Sequence, residues 1–202
     1  LRRSGGYALD ALLSDDPWNP AKLICGSEGT LGIVLEAKLR LEPLPRHSAV
    51  CLAHFATLRG ALEAAPTIVA SGISAAELLD GVILRQARKH PLTRDIARMV
   101  QGDPDALILI EVQDDDPMSV RDRIRDLAQA LRTRATAAPV MLDAADIRAA
   151  WQLRASALGL MTTVSGPRKP VPYIEDAAVP LDNLADYVTD VLAVCERNGQ
   201  PV

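Results

Sequence analysis

Aromatic residues are scarce in this chain, at 3% of 202 residues with a single phenylalanine. A core must therefore be built from Leu, Val, Ile and Ala, and the stacking platforms that bind single-stranded nucleic acid are nearly absent. The formal net charge of −4 repels a phosphate backbone, and the arginines are spread among acidic residues instead of forming a patch. We expect no nucleic-acid partner.

Cysteine pairs and long apolar runs are also missing. Cys25, Cys51 and Cys195 lie far apart and show neither a metal-ligand spacing nor a CxxC motif, which predicts free thiols in a reducing compartment. No apolar run reaches membrane-spanning length, and the first ten residues, LRRSGGYALD, lack the apolar stretch of a secretion signal. These absences predict a cytoplasmic protein without a membrane span.

What is present indicates a globular protein, because 49% of the residues are hydrophobic and 24% are charged. A length of 202 residues suits one domain, or one domain with part of another. The chain starts at Leu1 without a methionine and stops at Val202 just after a helical pattern. We therefore expect it to be part of a longer protein.

A strand and a domain boundary are predicted near the start. In the segment IVLEAKLRL, residues 33–41, apolar side chains alternate with charged ones, which is typical of a half-buried strand. Pro43 and Pro45 then end the strand, because proline donates no ladder hydrogen bond and restricts the residue before it. We place a domain boundary near Pro45.

After this boundary, strand and helix patterns alternate. Strands are predicted at 48–55, 75–79, 106–112 and 140–142, and helices at 58–71, 82–89, 120–131 (behind a Ser119 cap), 146–160 and from 184 to an Asn198–Gly199 stop. This order predicts an α+β fold of ferredoxin-like type, with helices on one face of a mainly antiparallel sheet.

The chemistry-bearing motif is CGSEGTLG at residues 25–32, which comes just before the predicted strand. Its glycines, Gly26, Gly29 and Gly32, allow a backbone to approach a bulky ligand closely. Backbone amides and the side chains of Ser27, Glu28 and Thr30 can then hydrogen-bond a pyrophosphate or ribose. An ordinary tight turn is the alternative, because the spacing matches neither the dinucleotide fingerprint nor the phosphate loop.

A resemblance adds to this motif. GYALDALL at residues 6–13 and GSEGTLGIVLEAKLRLEPLP at residues 26–45 resemble the end of the FAD-binding domain in the FAD-linked oxidase family, which includes D-lactate, glycolate and D-2-hydroxyglutarate dehydrogenases. The resemblance implies that residues 1–45 end a flavin domain and that 46–202 form a truncated substrate-side domain. It also implies that Gly26–Ile33 lies against FAD.

The substrate-side part resembles the family more weakly, at AAELLD (75–80), WQLRASA (151–157) and PYIEDAAVP (172–180). Arg154 stands where relatives place an arginine that grips the substrate carboxylate, a role that suits its planar fork. A surface helix charge is the alternative reading. Ile174 replaces a lysine of D-2-hydroxyglutarate relatives, and Arg168 and Lys169 are candidates to supply the missing charge.

The other titratable residues yield no catalytic group and no metal site. Glu175 and Asp176 would point to opposite faces of a strand, so at most one faces a site, where it can orient a substrate-binding arginine or a metal ligand. A sheet-edge charge or a helix-start partner is the alternative. Glu77 and Asp80 have the same status. His47, His54 and His90 lack a metal-ligand spacing. The resemblance implies that the histidine-rich stretch follows Val202 and that the glycine-rich pyrophosphate loop precedes Leu1.

The predicted activity is oxidation of a 2-hydroxy acid to a 2-oxo acid by hydride transfer to flavin, with residues 1–202 inactive alone. The length of the loop 14–22 resembles bacterial members that append an iron–sulfur domain, which implies such a cluster in a following domain. The alternative is a non-catalytic ferredoxin-like interaction or scaffold module. The sequence leaves the particular acid, the electron acceptor and the oligomeric state open.

Overall fold

The computed structural model describes residues 6–13, 18–163, 166, 174 and 177–200. These residues form two compact units. The first contains the described residues up to Pro43 together with Ile174, Ala177 and Ala178, and the second contains the other described residues, from Leu44 onward. No helix in the described part of the chain combines the length and the apolar character needed to cross a membrane.

The second unit is built on a four-stranded antiparallel sheet with the order β2-β3-β1-β4. Its strands are β1 (His47–Phe55), β2 (Ala75–Asp80), β3 (Ala106–Asp114) and β4 (Val140–Met141). In the central pair, His47 lies opposite Asp114 and Phe55 lies opposite Ala106. The predicted α+β fold and the predicted strands of this unit are confirmed, and the order is that of a ferredoxin-like sheet.

Eight α-helices occur in the described part of the chain. They are α1 (Leu9–Leu13), α2 (Ala21–Ile24), α3 (Leu58–Ala70), α4 (Gly81–Lys89), α5 (Pro117–Ala130), α6 (Ala144–Ala155), α7 (Ala157–Thr162) and α8 (Leu184–Arg197). A short 3-10 helix, Ile96–Met99, follows α4. The predicted end of the last helix is confirmed, because α8 stops at Arg197 and Gly199 adopts a φ of 64°.

The central strands bury both faces of the sheet. Successive side chains of a strand point to opposite faces, and two apolar clusters alternate along β1 accordingly. Ala49, Cys51 and Ala53 pack with residues of α3 and α5 in one cluster. Val50 and Leu52 pack with residues of α4, α6 and α7 in the other. Both faces of β1 and of β3 therefore carry buried apolar side chains.

The expectation that helices lie on one face of the sheet holds for α3 and α5 and fails for α4, α6 and α7. The reason is visible in β3, where Leu107 and Leu109 join one cluster while Ile108 and Ile110 join the other. A strand with no polar face must be covered on both sides, since burial of apolar surface drives the packing. The run ALILIEV carried this signal in the sequence.

Two local predictions about the helices are corrected. Helix α5 is capped by Asp116, whose carboxylate accepts hydrogen bonds from the amides of Met118 and Ser119, so Ser119 lies inside the helix. The single helix predicted at 146–160 is two helices, α6 and α7. Between them, the Ser156 hydroxyl donates to the carbonyl oxygen of Gln152 at 2.8 Å, a bond that competes with the regular helix ladder.

The strand predicted at 33–41 is not formed within the described part of the chain, where the segment belongs to no strand or helix. Ile33 and Leu35 are 89% and 94% exposed, so the apolar row of the alternating pattern is uncovered. A strand needs a neighbour to receive its hydrogen bonds and a layer to cover its apolar face, and no described residue supplies either. The sequence of this segment thus has the alternation of a strand, but no described strand pairs with it.

His54 is a fully buried, fully hydrogen-bonded residue of β1. Its Nε2 accepts from the amide of Gln101 at 3.0 Å, which makes Nδ1 the protonated nitrogen that donates to the carbonyl oxygen of Leu52 at 2.8 Å. Burial lowers the pKa of His54 below its ordinary value of 6.5. The neutral imidazole is therefore a structural element of the sheet.

A pH dependence of stability follows from this histidine. Below pH 6.5 the unfolded chain binds a proton at His54 that the folded chain does not bind, so the free energy of unfolding falls as the pH is lowered toward the folded pKa. The loss is up to about 1.4 kcal/mol per pH unit. Urea unfolding between pH 7.5 and 5 should show a shallower dependence in His54→Gln, which keeps an acceptor for Gln101. Equal slopes in both proteins would contradict this assignment.

Candidate functional site

The glycine motif forms a loop directly after α2, and its backbone is unusual for a short surface turn. Gly26 and Gly29 adopt φ angles of 81° and 75°, in the left-handed region that glycine tolerates. Glu28 lies between them with a φ of 50°, and no other non-glycine residue in the described part of the chain has a positive φ. A residue with a side chain rarely occupies this region, and such outliers cluster at ligand sites.

Hydrogen bonds among Tyr7, Ser27 and Thr30 stabilise the loop. The amide and the hydroxyl of Thr30 both donate to the carbonyl oxygen of Ser27, at 2.9 and 2.6 Å. Because the Thr30 hydroxyl proton is used in this way, the Tyr7 hydroxyl donates to Thr30 Oγ1 at 2.8 Å. Ser27 is 5% exposed and is the buried member of the motif. The predicted residues Ser27 and Thr30 thus hold the shape of the loop.

Sequence reasoning did not single out Tyr7 as a site residue. Tyr7 comes just before α1 and reaches the loop across 23 positions of sequence, so no spacing argument links the two. Its presence in the GYALDALL segment, beside the glycine motif in the resemblance, was the available signal.

The outer side of the loop is open. A Cβ atom placed on Gly26, Gly29 or Gly32 would meet no atom within 4 Å. Within the described part of the chain, no group accepts a hydrogen bond from the amides of Gly26, Glu28, Gly29 or Gly32. Free amides on a glycine-rich backbone are donors for phosphate oxygens. These amides are suited to phosphate oxygens such as those of a dinucleotide, whereas the amide and the hydroxyl proton of Thr30 are already used within the loop. Ile33 follows at the end of the loop.

Arg154 lies in the last turn of α6, in the second unit. Its Nη2 donates to Glu77 Oε2 at 3.1 Å, and both side chains remain partly exposed. Glu77 belongs to the edge strand β2 and points to the same face as the buried Leu79, two residues later. The ion pair holds one edge of the guanidinium, and the planar fork has further donors for a second carboxylate.

Among the acidic candidates of β2, the structure separates two roles. Glu77 contacts the predicted substrate arginine, whereas Asp80 caps α4 by accepting from the amide of Ile83 at 2.8 Å. The other predicted candidates, Arg168, Lys169, Glu175 and Asp176, lie outside the described residues. The glycine loop belongs to the first unit and Arg154 to the second.

The remaining reactive side chains have ordinary surroundings. Cys25 is exposed, Cys195 is half-buried, and burial raises the pKa of the Cys51 thiol to about 12, which makes this thiol unreactive. Over the described residues, no three His, Cys, Asp or Glu side chains gather as metal ligands would. His47 and His90 lie at the start of β1 and the end of α4.

The sequence is similar to known flavin-linked enzymes. The family described as FAD linked oxidases, C-terminal domain, matches residues 44–202. The D-2-hydroxyglutarate dehydrogenase of Pantoea ananatis is 30% identical over 96% of this chain, and the glycolate oxidase subunit GlcD of Bacillus subtilis is 30% identical over 93%. The mitochondrial D-lactate dehydrogenase (cytochrome) of Arabidopsis thaliana is 47% identical over 66 residues, 32% of this chain and 12% of its own length.

These similarities cover most of the chain and a smaller part of the relatives. The chain spans 20% of the length of the Pantoea ananatis enzyme and 38% of the Bacillus subtilis subunit. The family match includes all four strands of the sheet, α3 to α8 and Arg154. The chain belongs to the FAD-linked oxidase family, whose C-terminal domain occupies residues 44–202.

Proposed function

We propose that this chain works in an FAD-dependent dehydrogenase that oxidises a 2-hydroxy acid to a 2-oxo acid. The observation that carries the proposal is the exposed backbone of the glycine loop. Its amides have no acceptor among the described residues, Glu28 has a positive φ, and no atom lies within 4 Å of a Cβ placed on its glycines. Family membership supports FAD as the cofactor of the whole protein. The names of the relatives support a D-lactate, glycolate or D-2-hydroxyglutarate type of substrate.

The residues proposed to hold FAD are Gly26, Ser27, Glu28, Gly29, Thr30, Gly32 and Ile33. The amides of the glycine loop donate to phosphate oxygens, and the three glycines keep side chains out of the approach path. Tyr7 and Thr30 fix the loop before the ligand arrives, which reduces the entropy lost on binding. The uncovered apolar row of 33–41 supports the view that residues 1–45 complete a flavin domain.

Arg154 is proposed to bind the carboxylate of the 2-hydroxy acid. A guanidinium binds both carboxylate oxygens through two parallel N–H bonds, and this fixes the α-carbon in one orientation. Glu77 positions Arg154 by holding one edge of the fork. When bound, FAD supplies at N5 the acceptor for the hydride that leaves the α-carbon, while the hydroxyl proton leaves to a base.

Four further predictions from the sequence accompany this proposal. The domain boundary near Pro45, the inactivity of residues 1–202 alone, the cytoplasmic location and the iron–sulfur cluster of a following domain stay predictions. The base and the metal ligands are expected in a histidine-rich stretch beyond Val202. The non-catalytic interaction module is the competing proposal, and flavin binding by the whole protein separates the two.

The loop assignment is tested by Gly29→Val in the full-length gene product. Valine strains a backbone with a φ of 75° and projects a branched side chain into the open space above the loop. We expect the affinity for FAD to fall by about tenfold or more, because the strain alone is about 1–2 kcal/mol. The measurement is equilibrium titration of the apoprotein with FAD, followed by flavin fluorescence.

A matched control is Gly199→Val. Gly199 follows α8 with a φ of 64°, and a Cβ there also meets no atom within 4 Å, so the backbone strain is similar. Its variant should lose stability without losing FAD affinity. The same FAD affinity in both variants, equal to that of the unaltered protein, would remove the loop from the flavin site.

A further inference from the structure

The second unit carries a concentration of positive charge that the net charge conceals. Residues 85–98 contain five arginine or lysine side chains and one carboxylate, in a chain of net charge −4. The sequence predicted arginines spread among acids. The structure instead gathers Arg88, Arg94 and Arg98 around one cavity of about 350 Å³ beside the 3-10 helix Ile96–Met99.

The cavity wall is cationic over an apolar floor. It is lined by the three arginines together with Ala97 and Val100, which are both buried. None of the residues that line it carries a carboxylate. An apolar floor lowers the local dielectric response, so charges at the wall act on a ligand more strongly than they would in open water.

Two of the guanidinium groups have acceptors within the protein. Arg88 donates to Asp103 Oδ1 and to the carbonyl oxygen of Val100, each at 3.2 Å, and also to the carbonyl oxygen of Gly102. Arg98 Nη2 lies 3.1 Å from Asp95 Oδ1. The three acceptors fix Arg88, whereas the pair of Arg98 with Asp95 is exposed and weaker. Each group keeps further N–H donors.

Arg94 differs from its two neighbours. Its guanidinium forms no hydrogen bond or ion pair with any residue that the structure describes, although it lines the same cavity. The cavity is therefore lined by two arginines that have partners in the protein, Arg88 and Arg98, and by Arg94, whose charge no described residue neutralises.

We propose that this cavity binds a small molecule with two or more neighbouring oxyanion groups, either phosphates or carboxylates. A volume of about 350 Å³ holds a small metabolite, which is within the range of ligand pockets. Arginine forks bind phosphate and carboxylate oxygens alike through paired N–H bonds. Arg94 is the residue whose charge the ligand neutralises, and Arg88 and Arg98 orient it.

The experiment is isothermal titration calorimetry of the full-length protein with two probes, pyrophosphate and tricarballylate, at constant ionic strength set with sodium chloride. The variant is Arg94→Gln, which removes an exposed charge without touching the core. The control is Arg121→Gln, an exposed arginine of α5 on the opposite face of the sheet. Thermal unfolding of each protein verifies that the fold is intact.

Saturable binding of either probe, weakened about tenfold or more by Arg94→Gln and unchanged by Arg121→Gln, supports the site, because a charged hydrogen bond contributes about 1.5–3 kcal/mol. Preference for one probe assigns the ligand as a phosphate or a carboxylate compound. No saturable binding of either probe, or equal weakening by both variants, overturns the proposal. Vesicles of phosphatidylglycerol that bind through Arg94 while both probes fail would also overturn it, in favour of a membrane contact.

Discussion

Replacing Arg154 with alanine in the full-length protein is expected to lower kcat/KM for the 2-hydroxy acid by about 10- to 100-fold, because a hydrogen bond between charged groups contributes about 1.5–3 kcal/mol. The change removes the proposed carboxylate clamp and also leaves Glu77 without its partner at 3.1 Å. Arg154→Lys keeps the charge and loses the fork, so its expected loss is smaller. The measurement is steady-state kinetics with each of the three candidate acids.

The matched control for this prediction is Arg148→Ala. Arg148 lies on the same helix, is exposed, and has no predicted role. Its kcat/KM should stay within about twofold of the unaltered protein, since surface substitutions change little. A kcat/KM within the same twofold range for Arg154→Ala would exclude Arg154 from substrate binding and leave the ion pair with Glu77 as a surface contact of α6 and β2.

Replacing Leu109 with alanine is expected to lower the free energy of unfolding by about 3 kcal/mol, within the 2–5 kcal/mol range for buried leucines. Leu109 is fully buried in the centre of β3, opposite Leu52 of β1 and Glu77 of β2, and its side chain joins the cluster beneath α4 and α6. The cavity is central, so neighbouring strands cannot collapse into it freely. Urea unfolding followed by circular dichroism measures the effect.

Leu92→Ala makes the same chemical change at a residue that is 81% exposed. Its effect on the free energy of unfolding should stay within about 0.5 kcal/mol. Equal stability losses in the two variants would show that the β3 cluster is not the core of the second unit. The placement of the helices on both faces would then need to be revised.

The sheet was predictable because the sequence itself carries its periodicity. ALILIEV marked β3 as a central strand, and the strands predicted at 48–55 and 75–79 coincide with β1 and β2 within one residue at each end. The covering of both faces followed from the same run, since five consecutive apolar residues, Ala106 to Ile110, leave no polar face for water. The preference for a one-sided ferredoxin-like arrangement outweighed this local signal in the prediction.

Long-range contacts were harder to predict than elements. The bond from Tyr7 to Thr30 and the ion pair from Arg154 to Glu77 join residues 23 and 77 positions apart, and no periodicity encodes such pairs. The resemblance supplied Arg154, and the acidic candidates of β2 were named without a partner. Only the folded unit distinguishes Glu77, which contacts the arginine, from Asp80, which caps a helix.

The segment 33–41 shows a limit of another kind. Its alternation of apolar and charged residues is that of a strand, yet a strand exists only with a ladder partner, and the described residues offer none. The alternating pattern therefore indicates that the segment is suited to pair with a neighbouring strand. The exposed row that includes Ile33 and Leu35 is consistent with the flavin domain proposed for residues 1–45.

The most direct test of the proposed dehydrogenase is the visible absorbance of the full-length protein, purified with FAD and titrated without oxygen with D-lactate, glycolate and D-2-hydroxyglutarate. The account predicts oxidised flavin bands that bleach on addition of at least one of these acids, with release of the matching 2-oxo acid. A full-length protein that binds no flavin, or whose flavin bands stay unchanged with all three acids, would contradict the account and favour a non-catalytic interaction module.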